Sequence, residues 1–205
     1  MKKRLLELRR KTAIEAATLL YWSHEKEYKQ AKEKAAKILG TRNLPSNAEI
    51  AKQMDMIAEN LEGPHRRDRL INMRKEAIKI MDILKSFSPR LIGSVWRGTV
   101  HRNSDIDIEI TSLNHEEVYN ELRKAHLEIL KIEHQPRIKG NRNEESIHIH
   151  ILLSSLDKAE VIIRESTGED SPRKCEIYGD TIIGLDYSKL RKVMEKNPTQ
   201  RFIPN

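Results

Sequence analysis

Gly93-Ser94 and Asp105-Ile106-Asp107 are the residues of this sequence whose types and spacing could do chemistry. Leu91-Ile92 is apolar and leads into the Gly-Ser pair. Glycine lets the backbone approach an anion closely, and serine adds a hydroxyl donor. If a helical turn begins there, its free N–H groups also point at the anion. Further on, Asp105, Asp107 and Glu109 alternate with Ile106, Ile108 and Ile110. Strict alternation reads as a half-buried strand, which places Asp105 and Asp107 on one face about 7 Å apart. Two carboxylates that close repel one another and invite a divalent cation. Mg²⁺ suits one or two carboxylates combined with substrate phosphates. Glu109 shares the face but lies roughly 13 Å from Asp105, too far to hold the same ion. A phosphate cradle is thus joined to a metal-binding carboxylate pair.

Between these parts stand Arg97-Gly98-Thr99 and Ser104, so the order is Gly-Ser, Arg-Gly-Thr, Ser-Asp-x-Asp. This pattern resembles the DNA-polymerase-β-like nucleotidyltransferase superfamily. It is most similar to the branch of archaeal-type CCA-adding enzymes, poly(A) polymerases and minimal nucleotidyltransferases. The whole chain looks like an archaeal group with the Gly-Ser-Val-Trp-Arg-Gly-Thr version of the motif. The resemblance implies that Gly93, Ser94, Arg97, Gly98, Thr99 and Ser104 serve the nucleotide, and that Asp105 and Asp107 are the catalytic metal ligands. It implies Mg²⁺ or Mn²⁺ as cofactor and a nucleoside triphosphate, ATP by expectation, as substrate. The reaction would move a nucleoside monophosphate to a hydroxyl of RNA, protein or a small molecule and release pyrophosphate. Arg97 could contact phosphate, or brace the loop through Asp105 or a backbone carbonyl.

The superfamily's third carboxylate sits on a later strand between apolar residues. The best later strand, Ile147-His148-Ile149-His150-Ile151-Leu152-Leu153, carries histidines at its polar positions. His148 and His150 share a face and could meet Asp105 and Asp107. Imidazole binds Mn²⁺ or Zn²⁺ but is a poor Mg²⁺ ligand. Three outcomes are open: a histidine replaces the acid as metal ligand or base; Glu144, Glu145 or another acid arrives by a loop; or the site binds nucleotide and transfers poorly. The last would make the chain a degenerate nucleotide- or RNA-binding protein. A minimal transferase that modifies a partner protein, antitoxin-like, is a further alternative.

Composition narrows the setting. The single cysteine, Cys175, excludes an internal disulfide and a zinc ribbon, and a reducing cytoplasm is expected. No eighteen-residue apolar run exists, so no membrane partner is expected. Residues 1–86 hold 20 Lys/Arg against 12 Asp/Glu, a net of +8, while residues 87–205 hold 18 against 19. The basic excess lies away from the carboxylates, and basic helices are an electrostatic footprint for RNA.

These residues need positioning elements. Lys2 to Leu39 lacks Gly and Pro and carries apolar or aromatic residues at three- and four-residue steps, predicting one long helix capped at Gly40. Such a helix could pair with its copy in a homodimer. Ser46-Asn47-Ala48-Glu49 is a capping box for a second helix, and a third runs to about Phe87. Tyr21-Trp22 reads as helix–helix core, with base stacking as the alternative. Beyond residue 87, strands are expected at 90–92, 104–111, 128–138, 146–153 and 160–164, and helices at 115–126 and 187–196. Residues 165–172 read as a loop, Lys139-Gly140-Asn141 and Tyr178-Gly179-Asp180 as turns, and the last five residues as a docked or partner-binding tail. The fold class expected is α/β (α+β): a helical basic region over 1–86 and a nucleotidyltransferase-like domain over 87–205, built on a mixed sheet flanked by helices.

Overall fold

The computed structural model describes residues 2–139, 142–164 and 173–204. Four helices come first: α1 (Lys2–Tyr21), α2 (Tyr28–Ile38), α3 (Asn47–Glu62) and α4 (Pro64–Ile83). The single long helix expected over residues 2–39 is two. Ser23 takes φ 57°, and the amides of His24 and Glu25 both return to the carbonyl of Leu19. The break lets the alanine-rich faces meet: Ala13, Ala16 and Ala17 of α1 pack with Ala31 and Ala35 of α2 and Ile50 of α3. Small side chains permit that close approach, and the fold-back buries a stripe that a continuous helix would leave in water. The capping box forms as expected. Ser46 accepts from the Glu49 amide at 3.2 Å, and the Glu49 carboxylate accepts from the Ser46 amide at 2.6 Å. The same Glu49 receives both Nε and Nη2 of Arg9, which ties α1 to α3.

The second half alternates: β1 (Arg90–Ile92), α5 (Gly93–Arg97), β2 (Ile106–Thr111), α6 (His115–Lys124), β3 (Glu128–Lys139), β4 (Arg142–Leu152), β5 (Lys158–Arg164), β6 (Leu185–Asp186) and α7 (Tyr187–Lys196). The strands form one mixed sheet in the order β3-β4-β5-β2-β1-β6. Among the described strands, only β2 and β5 pair in parallel. Along β2, Ile106, Ile108 and Ile110 are buried, and their partners Ala159, Val161 and Ile163 of β5 are buried beside them. That face packs into one core with Leu70, Met73, Ile80 and Met81 of α4, Val118 and Leu122 of α6, and Leu190 of α7. Each such aliphatic side chain contributes about 1.5–3 kcal/mol on burial. The opposite face is left to the carboxylates.

Arg74 of α4 is fully buried and donates to four carbonyls: Val95 at 3.1 Å, Trp96 at 2.9 Å, Pro198 at 2.7 Å and Gln200 at 2.9 Å. Two of these are otherwise free carbonyls of the short helix α5, the usual targets of a cation at a helix C-terminus. Burial lowers the Arg74 pKa to about 10, so it stays protonated near neutrality. The tail after α7 is docked: the Phe202 amide donates to the Arg97 carbonyl at 3.0 Å, and Arg201 pairs with Asp55. At the other edge β3 and β4 form a long hairpin. Among the described residues, β4 pairs with β3 over residues 142–152 and with β5 over residues 146–152. The Gly140-Asn141 turn and the loop expected over residues 165–172 lie outside the described residues. The Tyr178–Asp180 turn is present, closed by Cys175 N–H to Asp180 O and Gly179 N–H to Cys175 O, both at 2.7 Å. β6 is a two-residue strand that the sequence does not announce.

Candidate active site

The site begins where β1 turns into α5. Gly93 sits at that junction with φ +68°, a conformation L side chains rarely adopt. The reason for glycine is also steric. A Cβ there would lie 1.8 Å from Oδ2 of Asp107, so the carboxylate is pressed directly against the Gly93 backbone. Antiparallel pairing of Ile92 with Asp107 brings this about. The Gly93 turn and the Asp107 carboxylate, separated by fourteen positions in the sequence, are therefore neighbours in space. The turn is closed behind them. The Ser94 carbonyl accepts the amides of Gly98 and Thr99, and Gly98 is left-handed at φ 73°. A Cβ on Gly98 would meet the Gln200 carbonyl at 3.0 Å, so this glycine makes room for the docked tail. The Ser104 hydroxyl accepts from the His101 amide at 3.0 Å and shapes the loop before Asp105.

Arg97 has a bracing set of partners. It is buried, forms a two-pronged ion pair with Asp180 at 2.7 and 3.0 Å, and donates to the Phe202 carbonyl at 2.9 Å. Its guanidinium also lies over the rings of Trp96 at 4.3 Å and Tyr178 at 4.8 Å. Of the two roles considered for Arg97, these contacts are those of a brace, made through Asp180 and a carbonyl rather than through Asp105. The arginine fixes the 173–184 segment and the tail around α5.

The carboxylate row is fuller than the sequence suggests. Parallel pairing of β2 with β5 sets Asp107 opposite Glu160, and antiparallel pairing of β5 with β4 sets Glu160 opposite His150. Adjacent strands run about 4.8 Å apart, so Asp107 and Glu160 are side by side on one face. Asp105 lies just before β2. Burial pushes the Asp107 carboxyl up to about 8, and the charges of Glu160 and Asp105 add to it. Asp105 is also raised, by burial first and by Glu160, against the opposing charge of Lys158. Neither aspartate has a hydrogen bond or ion pair with a described side chain, and only the more distant charges of Lys158, His150 and Arg69 oppose that of Asp105. Glu109 is handled differently: Arg164, at 2.6 Å, and Arg173 both pair with it, outside the site.

A further carboxylate stands on the strand beside Asp107. It is Glu160, an acid between Ala159 and Val161 on a strand that is otherwise nearly all apolar, the usual look of a central parallel strand. That apolar–acid–apolar signal is legible in the sequence, where the longer histidine-bearing strand outweighs it. His148 and His150 attend to Glu160 instead. His148 Nδ1 is 2.8 Å from Glu160 Oε1, and its Nε2 is 3.0 Å from the Ser146 hydroxyl. His150 Nε2 is 2.9 Å from Glu133 and 3.6 Å from Glu160. Among the described residues no three His, Cys, Asp or Glu side chains stand close enough to cage a metal as placed. The Glu160 carboxylate faces the histidines, while its residue pairs with Asp107 across the strands. The donor type, hard carboxylate oxygens, suits Mg²⁺ or Mn²⁺.

Above the carboxylates opens a cleft of about 910 Å³. Gly93, Ser94, Asp105 and Asp107 line its floor, and the helical half supplies a wall through Tyr28, Ala51 and Met54. That volume accommodates a nucleoside triphosphate. The sequence offers no warning that α1–α3 border the cleft, since that wall depends on the fold-back at Ser23. No helix is long and apolar enough to cross a membrane among the described residues.

A comparison with curated proteins finds no significant match. Among solved structures, the chain is similar to the Cid1 poly(U) polymerase, with 15% identity, a TM-score of 0.33, and 47% of this chain and 31% of that one covered. It is similar to a cytoplasmic RNA terminal U-transferase at 16% identity and TM-score 0.33, covering 47% and 29%. Cid1 in complex with the UTP analog UMPNPP gives 16% identity and TM-score 0.32, covering 49% and 31%. These matches span about a third of the length of the solved chains. The family described as nucleotidyltransferase domain matches residues 74–177, about half of the chain and the stretch that runs from α4 through the Gly-Ser turn to all three carboxylates. The chain belongs to the nucleotidyltransferase domain family, of the DNA-polymerase-β-like superfamily.

Proposed function

We propose that this protein is a metal-dependent nucleotidyltransferase that moves a nucleoside monophosphate from a nucleoside triphosphate to a hydroxyl acceptor and releases pyrophosphate. The observation that carries the reading is the alignment of Asp107 with Glu160 across β2 and β5, with Asp105 beside them and the Gly93 backbone against Asp107. Ser94 and the adjacent backbone hold the β- and γ-phosphates. Asp105 and Asp107 would hold Mg²⁺ or Mn²⁺, with Glu160 on the neighbouring strand. When bound, the metal would neutralise triphosphate charge and acidify the attacking hydroxyl. Glu160 takes the proton as the acceptor oxygen bonds to the α-phosphorus and the bond to the bridging oxygen of pyrophosphate breaks. His148 and His150 hold the resting orientation of Glu160. Residues 1–86 act as a helical half that walls the nucleotide cleft, and residues 87–205 carry the chemistry.

The test is turnover of α-labelled nucleoside triphosphates with Mg²⁺ or Mn²⁺ against pooled RNA, protein and small hydroxyl acceptors. Asp107→Asn and Glu160→Gln should each lower transfer by a thousandfold or so while circular dichroism stays unchanged, in the range lost when a transition-state charge group is removed. Wild-type transfer by Glu160→Gln would sink its assignment.

A further inference from the structure

Tyr21 and Trp22 are adjacent in sequence and opposite in fate. Tyr21 is 2% exposed, and its hydroxyl donates to Glu62 at 2.9 Å. Trp22 is 48% exposed at the end of α1, one residue before the left-handed Ser23. Its ring meets Tyr21 edge-on at 5.3 Å, and the Arg102 guanidinium lies 4.8 Å from its centroid. This arrangement is held from two sides. Asn103 donates to the Tyr21 carbonyl at 2.8 Å and to the Ser23 hydroxyl at 3.0 Å, and the Arg102 amide donates to Glu62 at 2.9 Å. The loop that fixes Arg102 is the loop that delivers Asp105 three residues later. A large aromatic surface is therefore kept in water against Arg102, which together with the neighbouring Ser23 and Asn103 lines the cleft.

Charge at the rim has one sign to spare. Lys26, Arg102 and Lys158 line the cleft, are exposed, and form no ion pair with a described residue. Arg102 and Arg69 also line a second groove of about 470 Å³ that continues away from the cleft. Arg69 spends one nitrogen on Asp157 at 3.0 Å and keeps a buried Nε–H without a partner at the junction of the two. An aromatic face flanked by arginine, with unpaired cations leading to a metal site, is the chemistry that grips an unpaired base and its phosphates.

We propose that Trp22 and Arg102 form a stacking platform for an unpaired base of a single-stranded nucleic acid acceptor, whose terminal hydroxyl is thereby led to Asp105. The platform rests on the transferase reading above and names its acceptor as a polynucleotide rather than a protein. The experiment is fluorescence anisotropy of a labelled twelve-nucleotide single strand and its duplex, on the full chain, alongside calorimetry of nucleoside triphosphate with Mn²⁺. Wild type should prefer the single strand. Trp22→Ala should weaken it about tenfold or more, the effect of losing one stacked base. Trp22→Phe, which keeps an aromatic face, should stay within about threefold of wild type. Triphosphate binding should not change in either variant. Equal single-strand affinity in Trp22→Ala would overturn the platform. So would a wild type that binds triphosphate and no oligonucleotide, which would favour a protein or small-molecule acceptor and leave the transferase reading standing. Trp22-dependent strand binding without triphosphate binding would support the platform and count against the transferase reading.

Discussion

Asp107→Asn should make the metal-free protein more stable, and the gain should grow with pH. Asp107 is pressed against Gly93, faces Glu160 across the sheet and has no hydrogen-bond donor among the described side chains. Burial and the neighbouring charges hold its carboxyl near 8, against an ordinary value of 3.8. The folded value lies above the unfolded one. Its contribution is therefore whole below pH 3.8 and is lost progressively as pH rises toward 8, because the unfolded chain releases the proton first. At pH 7 the deficit has a ceiling of about 4 kcal/mol, from 1.36 kcal/mol per unit over roughly three units. Water entering the cleft mouth screens the charge, which brings the effect to about 1–2 kcal/mol. Asparagine has nearly the same shape and no proton to lose, so it escapes this cost. For a chain of this size the variant's Tm should rise by about 2–8 °C at pH 7 in chelator. Scanning calorimetry from pH 5 to 8 reads the difference. Mg²⁺ or Mn²⁺ should raise the wild-type Tm and leave the variant's alone. A variant that melts at or below wild type at pH 7, or a gap that does not change with pH, would refute the reasoning.

Gly93→Ala forces a Cβ to 1.8 Å from the Asp107 carboxylate at a positive φ; it should lose about 1–3 kcal/mol of stability from backbone strain and displace Asp107, so metal-dependent triphosphate binding measured by calorimetry should fall sharply. Retained affinity would show that Asp107 does not rest on this turn. Arg74→Met removes the donor to four buried carbonyls; the urea midpoint should fall by the equivalent of about 3 kcal/mol or more, and protease should reach the tail after Asn197. An unchanged midpoint would mean that water replaces the guanidinium.

Much of the site is written in local chemistry, and that part is readable. The Asp/Ile alternation of β2, the Gly-Ser turn and the Ser46 capping box each depend on residues within a few positions of one another. The readings that needed correction depend on pairing between distant segments. Glu160 becomes the neighbour of Asp107 only when β5 lies parallel to β2, some fifty residues away, and one acid in an apolar strand does not say which strand will flank it. His148 and His150 share a face as expected, yet the chemistry on that face is decided by β5. Arg97 reads equally as phosphate contact or brace until Asp180 and the tail are in place. The break after Tyr21 is the clearest case. Nothing between residues 2 and 39 forbids a continuous helix, and the fold-back is chosen because α3 offers its alanine face something to cover.

The outer edge of β3 has a consequence for how the protein behaves in concentrated solution. Along β3 one whole edge has no described strand beside it, so the hairpin presents unsatisfied backbone to any other extended chain. Leu130 and Ile132 add exposed apolar surface to β3. Such edges invite stacking into fibrils unless something interrupts them. Pro136 lacks the N–H that a stacking strand would need, and Lys131 and Glu133 stand along the same edge as charges that an incoming strand would have to bury. Those three residues act as a guard against self-assembly, and replacing them with valine would make the β3 edge a site of aggregation.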